Sequence, residues 1–162
     1  MEVALKIGFI TCLALVTYQD FRERQVWFFL FPLCALVGGY LFFKEATPSF
    51  YFTTIAINLG IVSLIVFLNF LVARFVLKKS LLKEALGLGD ILFFIVFAIS
   101  FPTFAFLNFF VFSLVITWVL YIIIRMRDSR IQTAPLAGCM ALFLMGIYGT
   151  YWMGFLDALY LI

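Results

Sequence analysis

The sequence predicts an all-α, polytopic membrane protein with six transmembrane helices and both termini outside. Three observations lead there: the apolar excess, the number of apolar runs, and the placement of basic residues between them. Of 162 residues, 67% are hydrophobic and 12% charged. A soluble domain averages about half apolar and a quarter charged. A single transmembrane helical domain, 1–162, is therefore expected, with almost no mass outside the bilayer. The 23 phenylalanines read as lipid-facing and interhelical packing.

A spanning helix needs about 20 mostly apolar residues. The first run is 3–19, with Lys6 able to snorkel from its outer end. A cleaved signal peptide fits this run poorly, because Met1-Glu2 is no basic start and no Ala-x-Ala site follows. The second run is 26–43 and the third, uncharged, is 51–73. Residues 91–124 carry no charge. As one helix they would extend roughly 50 Å, against a hydrocarbon core of about 30 Å. Pro102 in Ser100-Phe101-Pro102-Thr103 marks a turn, which splits the stretch into 86–101 and 103–124. The last span lies within 131–156.

Basic residues then decide the orientation. Six spans place Arg22, Arg24, Arg74, Lys78, Lys79, Lys83, Arg125, Arg127 and Arg130 on one side, leaving only Lys6 and Lys44 on the other. The positive-inside rule makes the rich side cytoplasmic. Topology thus explains the formal charge of +3, and no nucleic-acid partner is expected.

The chain has no histidine, which removes Ser-His and Cys-His dyads and the His-Glu-x-x-His zinc site. Cys12, Cys34 and Cys139 lie far apart in apolar runs without Cys-x-x-Cys spacing, so three small buried thiols are expected, with no disulfide framework. No metal and no cofactor is expected. Asn58 and Asn69, eleven residues apart, share a helix face and read as interhelical hydrogen bonders. Pro135 reads as a helix-start proline or as a break exposing backbone groups.

An ionisable side chain at membrane depth is a functional-site hypothesis. Asp20 closes the first span and Asp90 opens the fourth, both on the cytoplasmic side at similar depth. Two adjacent carboxylates share a proton, so one can deprotonate a water while the other donates a proton. Gly87 and Gly89 before Asp90 suit unusual backbone angles and close approach of an extended substrate. Against this, Asp20 and Arg24 are spaced for a helix-surface salt bridge. Glu23, Glu84 and Asp128 lie among basic residues, Glu45 and Asp157 near the outer surface, and Glu2 at the terminus; Glu84 is the reserve candidate.

Asp20-Phe21-Arg22-Glu23-Arg24-Gln25-Val26 resembles the Asp-x-x-x-Arg-x-Ile pattern of type IV prepilin peptidases. Gly87-Leu88-Gly89-Asp90 resembles their Gly-x-Gly-Asp signature, and Ala134-Pro135-Leu136-Ala137-Gly138 is loosely similar to their late Pro-containing segment. The resemblance covers nearly the whole chain. It implies an aspartic endopeptidase of a prokaryotic cytoplasmic membrane that removes the leader from a prepilin-like precursor. Asp20 and Asp90 would be the catalytic pair, supported by Gly87, Gly89, Arg24 and Pro135. The added cysteine-rich cytoplasmic region of many members has no counterpart here, so the expectation covers cleavage and does not extend to N-methylation. Trp27-Phe28 stands where members usually carry Pro-Asn, and Leu92 where they commonly carry Lys. Gly-Leu-Gly-Asp with a downstream Pro-Leu also resembles presenilin-like proteases, the second enzymatic reading. A non-catalytic carrier or assembly subunit is the third, since membrane carboxylates also relay protons.

Overall fold

The computed structural model describes residues 2–76, 87–127, 135–155 and 159–160, and every element among them is helical. Six α-helices follow one another: α1 (Glu2–Glu23), α2 (Leu30–Glu45), α3 (Pro48–Leu71), α4 (Leu88–Ser100), α5 (Thr103–Arg127) and α6 (Leu136–Trp152). One π-helical turn, Val72–Val76, extends α3. Three helical stretches are long and apolar enough to cross a membrane: Glu2–Glu23, Pro48–Phe75 and Thr103–Met126. Helices α4 and α6 are shorter and also apolar. Lys78, Lys79, Lys83, Glu84, Asp128, Arg130, Ala134 and Asp157 lie outside the described residues.

The breaks follow local chemistry. Arg24 ends α1 with φ 56°, in the left-handed region that stops a helix. The Trp27 N–H then donates to the buried Gln19 side chain at 3.0 Å, which folds the link back onto α1. The second helix therefore begins at Leu30 rather than at residue 26. Pro48 opens α3 at a position where its missing N–H costs nothing. Phe101, before Pro102, is extended (φ −141°, ψ 151°) as the proline ring demands, and the Pro102 carbonyl accepts the first bond of α5, from Phe106 at 2.8 Å.

Helix α4 is the centre of the bundle, packing on α2, α3, α5 and α6, while α1 packs on α6 and α2. Its Phe93, Phe94 and Phe97 are buried and meet Phe31 and Phe110 edge-on. The Gly38-Gly39 pair lets α2 approach it closely. A Cβ on Gly38 would stand 2.2 Å from Ser100 Oγ, and one on Gly39 2.7 Å from Ile99 Cγ2. Small residues serve this purpose between membrane helices, where close packing replaces hydrophobic exclusion.

The end of α4 is capped from outside. Asn58, fully buried on α3, donates from Nδ2 to the Ala98 and Phe101 carbonyls, both at 2.9 Å. Those carbonyls lack a helical partner because the helix stops at Ser100. Asn69 departs from expectation. It is exposed and donates to Ile65 of its own helix. The cysteines also depart in part: all three are buried and free, yet Cys12 and Cys34 are in contact.

At the far end of the bundle Lys44 of α2 pairs with Glu2 of α1, and Lys6 lies over the Trp152 ring. Lys6 is thus held by an aromatic face.

Gly38→Ala should destabilise the protein by about 1–3 kcal/mol, the usual cost of overpacking. Gly8, with open space around its Cα, supplies the control. The check is the unfolding midpoint in detergent, which falls for Gly38→Ala and not for Gly8→Ala.

Candidate active site

Asp20 and Asp90 come together at the N-terminus of α6. Asp20 sits one turn from the end of α1, and Asp90 in the first turn of α4. The Gly138 N–H donates to Asp20 Oδ2 at 2.6 Å, and the Ala137 N–H donates to Asp90 Oδ1 at 3.1 Å. Two consecutive amides of one helix turn thus hold carboxylates from two other helices. The carboxylates are close enough to act on each other electrostatically.

The sequence explains this local geometry. Pro135 is the N-cap of α6, one position earlier than a helix-start proline. Its carbonyl accepts the first helical bond, from Cys139 at 3.0 Å. The amides in between have no helical partner. They point out of the helix at the positive end of its dipole, where anions are favoured. The reading of Pro135 as exposing backbone groups therefore describes what is seen.

Asp90 is also fixed locally. Its Oδ2 accepts the Gly87 N–H at 3.1 Å, the reach-back of a third-position acid to the N-cap. Both Asp90 oxygens are thereby engaged. Asp20 Oδ1 accepts no hydrogen bond among the described residues. Both acids are only partly buried.

The glycines work differently from the expectation. Gly87 has ordinary extended angles (φ −69°, ψ 150°), and Gly89 lies inside α4. Neither is in the positive-φ region, where Gly154 is the glycine found among the described residues. Space is the contribution of Gly87, where a Cβ would stand 3.1 Å from Asp90 Oδ2; at Gly89 a Cβ would meet Phe31 Cζ at 3.4 Å, an ordinary contact.

Arg24 lies near enough to Asp20 to attract its charge, but it stands past the end of α1 in left-handed geometry. Regular helical i,i+4 spacing therefore does not describe the pair. Leu92 sits about 200° round the helix from Asp90, partly buried against the core. An apolar residue suits that place.

Sequence reasoning missed the clasp around Gly138. Its N–H grips Asp20 while Thr17 Oγ1 of α1 donates to its carbonyl at 3.3 Å. Backbone donors carry no residue signature. The signal available was a glycine three residues past a proline. A Cβ on Gly138 would stand 3.0 Å from Asp20 Cβ, Asp20 Oδ2 and Phe21 Cδ2, so with any other residue α1 must give way by a few tenths of an ångström.

Compared with known proteins, the chain matches no family model, no curated protein and no solved structure at a significant level.

Gly138→Ala should lengthen the bond between Asp20 and its amide and cost about 1–3 kcal/mol of stability. Gly146→Ala on the same helix meets open space and should not. Paired thermal melts of the two variants in one detergent test this.

Proposed function

We propose that the chain is an aspartic endopeptidase of the type IV prepilin peptidase kind, with Asp20 and Asp90 as its catalytic dyad. It would reside in a prokaryotic cytoplasmic membrane as a six-span bundle with both termini outside. Its substrate is a prepilin-like membrane precursor whose leader is cut at the cytoplasmic face. The observation that supports this most is the convergence of both carboxylates on the Ala137 and Gly138 amides.

Roles follow from the hydrogen bonds. Asp20, whose Oδ1 accepts no hydrogen bond among the described residues, takes the proton of the attacking water. Asp90, in its protonated form, gives its proton to the scissile carbonyl oxygen as the water adds; when the resulting diol collapses, Asp90 takes that proton back and Asp20 passes the water proton to the leaving amine. The two amide bonds of Asp90 hold it in place while leaving one lone pair on each oxygen. The α6 amides keep the two carboxyls at one distance through the cycle. That preorganisation lowers the reorganisation cost of a reaction that develops charge.

Asp20→Asn keeps the oxygen that accepts the Gly138 amide and Asp90→Asn keeps one of its two amide bonds, and both lose the acid–base function. Each should lower leader cleavage by at least about a hundredfold, with the melting temperature little changed. Cleavage of a co-expressed precursor is the assay, and full cleavage by either variant would falsify the assignment.

The rate should also be bell-shaped in pH. At low pH both carboxyls are protonated and the base is lost; at high pH both are ionised and the acid is lost. A rate profile that is level from acid to neutral pH in single-turnover cleavage would count against a dyad.

A further inference from the structure

Cys12 of α1 and Cys34 of α2 take no part in the carboxylate site, yet they are built as a pair. Their sulfurs are 2.9 Å apart, with the Cys34 thiol donating to Cys12 Sγ. The Cys12 thiol in turn donates to the Leu30 carbonyl at 3.5 Å, at the start of α2. Cys34 is 0% and Cys12 4% exposed, so both are enclosed by the bundle. Cys139 is a third buried thiol in a different place, near Thr117 and Asp20. A disulfide holds its sulfurs about 2.05 Å apart, so the gap between the two sulfurs to be closed is about 1 Å.

We propose that Cys12 and Cys34 form a modification site, a dithiol that a membrane-soluble oxidant of the quinone class converts to a disulfide tying α1 to α2. Two S–H bonds break and one S–S bond forms. The two electrons and two protons pass to the quinone, which leaves as the hydroquinone. Both thiols are enclosed, so the quinone gains access when the packing of α1 on α2 opens locally, and the disulfide forms as the pair recloses. The loop this closes contains Asp20 and the Gln19–Trp27 bond, so the modification fixes the α1–α2 arm on which one acid stands.

The test uses the full chain in lipid nanodiscs with a decyl-substituted benzoquinone as probe. Intact mass should fall by two hydrogens, and peptide mapping should recover a Cys12–Cys34 cross-link. After denaturation one thiol, Cys139, should still react with maleimide, and dithiothreitol should restore all three. Cys12→Ser should retain both remaining thiols under the same treatment. Three thiols left intact in the wild-type protein, a stable quinone adduct, or a cross-link through Cys139 would each overturn the proposal. The mapping needs no variant, so a Cys12→Ser protein that fails to fold leaves the result decisive. Thiol counting is independent of peptide cleavage, so this proposal and the peptidase reading fail separately.

Discussion

The N-terminal turn of α6 is the point on which the carboxylate end depends. A helix start presents amides that no helical carbonyl can satisfy, and inside an apolar bundle water is poorly placed to satisfy them. Here a carboxylate from α1 and one from α4 do so on successive residues. The same contact thus satisfies the α6 amides, partners two acids, and fixes the relative height of three helices. Gly138 is where these demands meet: its amide grips Asp20, and its lack of a side chain makes room for α1.

The rest of the bundle supports that junction by holding α4 still. The glycine pair of α2 presses on Ser100 and Ile99 near the end of α4, and Asn58 takes hold of two carbonyls there. At its start, Asp90 closes the first turn onto Gly87. A helix of 13 residues is thus pinned at both ends by groups chosen for backbone chemistry rather than for apolar bulk. Between the pins, phenylalanine rings fill the centre by edge-on contacts, which tolerate the irregular spacing of short helices.

The helix order was legible because apolar runs and Pro102 are strong local signals. The start of α2 was not, because Val26 and Trp27 are apolar yet are held in the link by Arg24 and a side chain of α1. Asp20 and Asp90 were legible as charges at the edges of apolar runs, and their equal depth followed from counting spans. Their common partner was hidden, since it consists of main-chain N–H groups. Asn58 and Asn69 show the limit of periodicity: the same face, but only the first faces a helix end with carbonyls to fill. The cysteines show another, because separation along the chain says nothing of antiparallel neighbours.

The unequal lengths of α4 and α5 have a consequence for where the acids lie. The 13 residues of α4 rise about 20 Å and the 25 residues of α5 about 38 Å. The two helices join at Pro102, and Phe94 meets Phe110 across them. The start of α4 therefore lies level with the middle of α5, which runs on well past Asp90. The carboxylate pair is recessed alongside that longer helix rather than carried at its tip.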